Sequence, residues 1–215
     1  MGILSAPVHG QGPASAAAST AAKPGAPVLL VVGDSLSAEY GLQRGSGWVA
    51  LLERRIAQQG LAVRVVNASI SGDTTSGGRS RLAALLKQHQ PRWVVIELGG
   101  NDALRGLPLS MTRDNLGAMT RAAKGAGARV VIVGMQVPPN YGRSYGEEFA
   151  GLFATVAKAE EVSLVPFLLA GVADRADAQS FFQADRIHPN EAAHPVMLDN
   201  VWPVLRPLLA STRAK

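Results

Sequence analysis

The sequence predicts an α/β protein: a three-layer α/β/α sandwich around a central, mostly parallel sheet of about five strands. Short runs rich in Val, Ile and Leu alternate along the chain with longer segments of helical periodicity. The first run, residues 28–32, is apolar at every position and is bounded by Pro27 and Gly33. Such a run is typical of a central parallel strand that is buried on both faces.

The predicted elements follow in chain order. Strands are expected near residues 28–33, 62–67, 92–98, 129–135 and 162–166. Apolar stripes at helical spacing predict one helix that ends at Gly60 and another before the fifth strand; the stripes are Trp48, Leu51, Leu52 and Ile56, and Phe149, Leu152, Phe153 and Val156. A closing helix near residues 201–209 is expected to be interrupted or bent at Pro203 and Pro207, because proline lacks the N–H that a helix needs.

The chain has 215 residues, which suits one domain, here predicted at residues 27–212. Residues 1–26 are mostly Ala, Ser, Gly and Pro with Lys23 as the sole formal charge, and we expect a disordered tail. The tail lacks the positive start and continuous apolar stretch of a secretory signal, so no intact signal peptide is expected. No run of 18 apolar residues occurs, and we therefore expect no membrane-spanning helix.

Composition excludes several kinds of site. The chain has no cysteine, which rules out disulfides, thiol nucleophiles and cysteine metal ligands. The net charge is +5, but Lys and Arg are scattered among Asp and Glu and form no stripe with aromatic residues. We therefore expect a solvated basic surface rather than a nucleic-acid partner, although weak attraction to anionic lipid or to acyl-CoA phosphates would also fit this charge. Apolar residues make up 47% and aromatics 5%, which predicts an aliphatic core.

A candidate nucleophile follows the first strand. Gly33, Asp34 and Ser35 stand where the strand ends, and the carboxyl edge of a parallel sheet is where such proteins keep their chemistry. The three residues alone also suit an ordinary turn or helix cap. A serine hydroxyl needs a neighbouring base before it becomes a good nucleophile.

That base is predicted near the other end of the chain. Asp185 and His188 are three residues apart, and Pro189 favours an extended or turn conformation for His188. An imidazole can take the serine proton, and a carboxylate can hold its tautomer and stabilise its cation. His194 is a weaker alternative, as a supporting or helix-entry residue, and His9 and His89 are expected to be solvated.

Two further loops offer donors for an oxyanion. Gly72 follows the second strand and has no side chain to block its N–H, although it also suits a turn before a helix capped by Asp73 or Thr75. Asn101 follows Gly99 and Gly100 after the third strand and carries a side-chain amide. Asn101 or Asp102 would equally suit a helix cap.

These residues together resemble a known family. The segment Gly33 to Leu36, Gly72, the segment Gly99 to Asp102, and Asp185 with His188 are similar in order and spacing to the four sequence blocks of the GDSL or SGNH hydrolases. The resemblance covers about residues 28–209. Residues 67–74 and 85–93 also resemble the bacterial branch of multifunctional acyl-CoA thioesterases, lysophospholipases and arylesterases.

The resemblance implies a flavodoxin-like fold and a serine esterase or thioesterase without metal or cofactor. The resemblance also implies that Ser35 is the nucleophile, that His188 is the base, and that Asp185 orients the His188 imidazole. The Ser35 and Gly72 N–H groups and the Asn101 amide form the oxyanion hole. It further implies small acyl ester or thioester substrates, a periplasmic or secreted location and a monomer. The neighbours Glu39 and the loop 103–106 depart from the blocks without changing the expected reaction.

Loops at the carboxyl ends of neighbouring strands form the walls of one crevice in an open parallel sheet. The loop after Asn101 carries Leu104 and Leu107, and the loop after the fourth strand carries Tyr141. We therefore predict that these three side chains contact an acyl chain, although ordinary loop packing would also account for each.

Three other classes of protein share features with this sequence. An α/β-hydrolase would need a Gly-x-Ser-x-Gly elbow, which is absent. A metal-dependent hydrolase would need more clustered ligands than Asp185 with His188. A nucleotide-binding module is suggested by the glycines of residues 72–78, but Arg79 stands where a phosphate loop needs Lys followed by Ser or Thr.

Overall fold

The computed structural model describes residues 25–211. Five strands form one parallel sheet, β1 (Val28–Gly33), β2 (Arg64–Asn67), β3 (Trp93–Glu97), β4 (Arg129–Val133) and β5 (Ser163–Val165). Their spatial order is β2-β1-β3-β4-β5. The predicted fold class is confirmed, with all five strands parallel. Of the predicted tail at residues 1–26, residues 1–24 lie outside the described range.

Within residues 25–211 there are six helices: α1 (Trp48–Gln58), α2 (Thr75–His89), α3 (Gly100–Leu104), α4 (Leu109–Gly125), α5 (Arg143–Ala159) and α6 (His194–Ala210). Helix α1 packs on α6, while α4 packs between α2 and α5. The helices therefore form two outer layers, as the sandwich requires. Short 3-10 turns lie at Pro139–Tyr141 and Ala178–Phe181.

The core lies between the sheet and both helical layers. Every residue of β1 and β3 is buried, because helices cover both faces of the central strands. The core is mainly aliphatic, as composition predicts, and its largest fully buried side chains are Trp48, Trp93, Phe149 and Phe153.

Helix α6 runs without interruption through Pro203 and Pro207, so the break that was one of the two outcomes expected there does not occur. A bend at these prolines stays a prediction. Both prolines are exposed and lie four residues apart, while Val201, Leu205 and Leu209 are buried. The backbone carbonyls that lose a helical N–H partner therefore lie on the solvent side, where water can bind them. Packing of the apolar face then holds the helix together.

The sheet register brings two loops together. Gly33, the last residue of β1, pairs with Glu97, the last residue of β3. The chain after β1 and the chain after β3 therefore leave the sheet side by side at its carboxyl edge. This edge carries the predicted nucleophile and the predicted amide donor.

Candidate active site

Ser35 lies on a tight turn directly after β1. The carbonyl of Asp34 accepts the N–H groups of Ser37 at 3.2 Å and Ala38 at 2.9 Å. A Cβ at Gly33 would lie 2.7 Å from the Glu97 carboxyl and 2.8 Å from the Ser37 side chain, so only glycine fits beside the turn. The turn leaves Ser35 half-buried at the sheet edge.

The structure brings Ser35, His188 and Asp185 into one line. His188 Nε2 lies 3.0 Å from Ser35 Oγ, and His188 Nδ1 lies 2.6 Å from Asp185 Oδ2. The second carboxylate oxygen, Oδ1, accepts the N–H groups of Ile187 at 2.9 Å and His188 at 3.0 Å. These contacts have the geometry of a nucleophile, a base and a group that orients the base.

Hydrogen bonds hold Asp185 in its ionised form. The backbone N–H of His188, the His188 side chain and the backbone N–H of Ile187 lower the Asp185 pKa to about 2. An anion at this position favours the tautomer of His188 that carries its proton on Nδ1. Nε2 is then left as the acceptor that faces Ser35.

The loop that carries His188 is braced from several sides. Phe182 and Pro189 form an antiparallel bridge, and the Gln183 N–H donates to the His188 carbonyl at 2.8 Å. The ring of Tyr40 lies 4.3 Å from the His188 ring, centre to centre. These contacts fix the imidazole on a turn rather than in a helix. No feature of the sequence predicts this contact, because Tyr40 is an exposed residue that lies far from His188 along the chain.

The predicted oxyanion donors lie on neighbouring loops. Asn101 is the second residue of α3, and its Nδ2 donates to Asp34 Oδ2 at 3.0 Å. Gly72 has a φ of 77°, which favours glycine, and its carbonyl accepts from Arg105 at 2.7 Å. Within residues 25–211, neither the Ser35 N–H nor the Gly72 N–H has a hydrogen-bond partner. Both donors are therefore free for a ligand.

The sequence also predicted helix caps on the loops that carry Gly72 and Asn101. The cap of α2 is Thr74, whose side chain accepts from Gly77 at 3.2 Å, rather than Asp73 or Thr75. Asp102 is buried and accepts the Thr75 N–H at 2.9 Å, so it supports the start of α2. The glycine-rich stretch before Arg79 thus runs into a capped and anchored helix.

Two buried carboxyl groups lie behind Ser35 and were not predicted as site residues. Asp34 is 2% exposed and Glu97 is fully buried. Glu97 Oε2 accepts the Ser37 hydroxyl at 2.6 Å and the Asp34 N–H at 3.3 Å. Burial raises the pKa of Asp34 to about 6, and burial followed by repulsion from Asp34 raises the pKa of Glu97 well above its usual range. In the sequence, Glu97 stands out only as a single carboxyl residue at the end of the otherwise apolar β3.

A cavity of about 560 Å³ opens beside the serine. Ser35, Asn101 and His188 line it together with a mostly apolar wall that includes Leu104, Met135, Val137, Phe167 and Leu169. Leu104 thus lies where it was predicted. Leu107 and Tyr141 are half-buried outside this lining, and Tyr141 stacks on Tyr145 with the ring centres 6.0 Å apart. Their contact with an acyl chain stays a prediction.

His194 and Glu39 support the structure around the site. His194 begins α6 and is buried, and its Nδ1 accepts the Trp48 N–H at 3.0 Å at the start of α1. Burial lowers the pKa of His194, so it is a neutral cap rather than a base for Ser35. Glu39 accepts the N–H groups of Gly45 and Gly47 and shapes the loop before α1.

Within residues 25–211, no three His, Cys, Asp or Glu side chains form a group that could hold a metal ion. In the same range, no helix is long and apolar enough to cross a membrane.

Comparisons with known proteins agree on one family. The profile of the GDSL-like Lipase/Acylhydrolase family matches residues 31–196. Esterase TesA of Pseudomonas aeruginosa is 53% identical over 184 residues, which are 86% of this chain and 90% of that protein. Thioesterase 1/protease 1/lysophospholipase L1 of Escherichia coli K12 is 43% identical over 86% of each chain.

Solved structures give the same result. The crystal structure of TesA superposes on this structure with a TM-score of 0.81 and 52% sequence identity. The match covers 84% of this chain and 99% of the TesA chain. Esterase EstA from Pseudoalteromonas sp., in a structure inhibited by monoethylphosphonate, has a TM-score of 0.79 and 37% identity, covering 85% and 98%. The sequence profile and these relatives span nearly the whole described fold, including its serine turn and its histidine loop. The chain belongs to the GDSL-like lipase/acylhydrolase family.

Proposed function

We propose that this protein is a serine hydrolase that cleaves acyl esters and thioesters through an acyl-serine intermediate. The observation that carries the proposal is the line of contacts from Ser35 Oγ to His188 Nε2, at 3.0 Å, and from His188 Nδ1 to Asp185 Oδ2, at 2.6 Å. This arrangement opens into a cavity that can hold an acyl group. The names of the relatives, which include an esterase and a thioesterase, support the same reaction class.

In the acylation step, Ser35 Oγ attacks the carbonyl carbon while His188 Nε2 takes the hydroxyl proton. The anionic Asp185 stabilises the imidazolium that forms. The N–H groups of Ser35 and Gly72 and the amide of Asn101 donate to the oxygen that becomes negative. The tetrahedral intermediate collapses, and His188 returns its proton to the departing alcohol or thiol.

In the deacylation step, water enters where the leaving group was. His188 Nε2 takes a proton from the water as its oxygen attacks the acyl carbonyl, and the same donors bind the second oxyanion. Collapse releases the carboxylic acid and returns the proton to Ser35 Oγ. The residues complete the cycle without a cofactor.

The substrates we propose are aryl esters, acyl-CoA thioesters and lysophospholipids. The apolar wall of the cavity supports this choice, because it can take an acyl chain out of water beside the serine. The related arylesterase of Vibrio mimicus is 42% identical, and the Escherichia coli relative is named both thioesterase and lysophospholipase. We further propose that the protein acts as a monomer, without nucleic acid, in the periplasm or outside the cell.

Hydrolysis of a substrate panel tests the function. The protein and Ser35→Ala are assayed on p-nitrophenyl butyrate, palmitoyl-CoA and lysophosphatidylcholine. We expect turnover of one or more substrates by the parent and none above background by Ser35→Ala. Turnover by neither protein, or by both equally, would contradict the proposal. Size-exclusion chromatography with light scattering tests the monomer, and fractionation of the producing cells tests the location.

A further inference from the structure

The Asp34 carboxylate contacts both chain segments that carry the proposed oxyanion donors Ser35 and Asn101. Its Oδ1 accepts the Leu36 N–H at 3.0 Å, on the turn that carries Ser35. Its Oδ2 accepts from Asn101 Nδ2 at 3.0 Å, on α3. One buried carboxylate therefore ties the nucleophile turn to the helix that supplies the amide donor.

The Asn101 amide depends on this contact for its orientation. Within residues 25–211, Asp34 is the hydrogen-bond partner of its Nδ2, and its Oδ1 has none. An amide nitrogen carries two hydrogens, so one can bind Asp34 while the other points into the cavity. Without an acceptor at residue 34, a half-turn of the amide would put an oxygen where the donor is needed.

We propose that Asp34 is a positioning residue, which holds the Asn101 amide with its nitrogen toward the carbonyl oxygen of the substrate. The proposal rests on the proposed function, because it assigns Asp34 a role in that reaction. Asp34 acts through Asn101 and takes no proton in either step. A carboxylate suits this role better than an amide, because it accepts hydrogen bonds at both oxygens and cannot turn a donor toward Asn101.

The surrounding charges favour the ionised form of Asp34 over that of its neighbour Glu97. Two buried carboxyl groups this close cannot both ionise easily. Asp34 accepts two N–H groups and faces His188, whereas Glu97 is fully buried with its Oε1 unpaired. We assign the proton to Glu97. The other nearby carboxylate, Asp73, also raises the Asp34 pKa, less than burial does, and it forms an ion pair with Arg81 at 2.7 Å.

Burial of this charge costs stability. Because the Asp34 pKa is raised to about 6 in the fold, its contribution to stability falls as pH rises from the unfolded value of 3.8 through 6. In Asp34→Asn, the Asn101 amide is expected to turn so that its oxygen accepts from the new amide at residue 34. With that hydrogen bond in place, the variant should melt no lower than the parent at pH 8. A substitution that preserves stability and removes activity identifies a residue kept for function.

A double-mutant cycle tests the proposal, with p-nitrophenyl butyrate as substrate. Asp34→Asn and Asn101→Ala should each lower kcat by ~10²–10³-fold with little change in KM, the scale for loss of one oxyanion donor. The double variant should be no more than about threefold slower than the slower single variant, because both changes remove the same interaction. Asp114→Asn is the control for the Asp-to-Asn change, because Asp114 is an exposed carboxylate on α4 that pairs with Arg113 and lies outside the cavity lining. Its kcat should stay within about threefold of the parent.

Losses that multiply in the double variant would overturn the proposal, as would an Asp34→Asn variant with parental kcat. If Asp34→Asn does not fold, Asp34→Ala is used, which removes the acceptor without adding a donor. Failure of both to fold would show a purely structural role and also overturn it. Ser35→Ala separates the two hypotheses: if it keeps turnover, the proposed function fails. If it is inactive while Asp34 and Asn101 are uncoupled, only this inference fails.

Discussion

The apolar cavity beside Ser35 predicts a steep dependence of rate on acyl-chain length, and Leu104 is the residue with which to probe it. Each methylene taken fully out of water is worth ~0.8 kcal/mol, which corresponds to about fourfold in kcat/KM. From acetate to hexanoate, four methylenes would then give at most about 200-fold. The cavity is open to solvent, so the measured gain will lie below this bound. The assay is kcat/KM for p-nitrophenyl esters of two to eight carbons.

Leu104→Ala should flatten this profile. Leu104 lines the cavity and is 47% exposed, so its side chain has surface free to contact an acyl chain. Truncation to Ala removes that surface, so the gain for the methylenes that touch it should fall below ~0.8 kcal/mol, or below about fourfold per step. Acetate hydrolysis should change little, because acetate does not reach this wall. Leu107→Ala is the matched comparison, since Leu107 is half-buried outside the lining.

A parental profile in Leu104→Ala would refute this reasoning and place the acyl chain elsewhere. Equal flattening in Leu107→Ala would instead show that the whole loop after Asn101 contacts the chain, as the sequence predicts. A uniform loss at every chain length would indicate damage to the neighbouring Asn101 rather than loss of a wall.

Three further predictions concern the base, the buried carboxyl pair and metal ions. His188→Ala should lower kcat by at least ~10³-fold while His89→Ala, at the end of α2, keeps parental activity; a mild loss in His188→Ala would mean that another group acts as base. Because the Glu97 pKa is raised in the fold, unfolding free energy should fall as pH rises above the unfolded value of 4.5, by up to about 1.4 kcal/mol per pH unit. Chemical denaturation between pH 5 and 8 should show Glu97→Gln with a flatter dependence, and parallel curves would mean that Glu97 is ionised. Esterase activity should survive dialysis against EDTA, and loss that a divalent ion restores would contradict the metal-free mechanism.

The sequence predicts the sheet well because its strands are continuous apolar runs with clear ends. The five observed strands fall within the predicted ranges; β1 has the predicted bounds, and each of the other four is two residues shorter than expected. The break expected in α6 at its prolines does not occur, because the opposite face of the helix is packed against the core. Propensity is a weak guide when one face of a helix is well buried.

The candidate site was predicted only in part, for a physical reason. Ser35, Asp185 and His188 carry recognisable chemistry in short motifs, and the structure brings them within hydrogen-bond distance. Glu97 and the contact of Tyr40 with His188 depend on which chain segments meet in space, which residue spacing does not reveal. Residue spacing also does not reveal that Met135, Val137, Phe167 and Leu169 line the cavity beside Leu104. Contact of Leu107 and Tyr141 with an acyl chain stays a prediction.

The most direct test of the central claim is covalent labelling of the nucleophile. The protein is incubated with a fluorophosphonate, and its intact mass and peptide map are recorded together with residual esterase activity. The account predicts one adduct, located on Ser35, with activity lost in proportion to labelling, and no adduct in Ser35→Ala. Labelling at another residue, or full activity in Ser35→Ala, would contradict it.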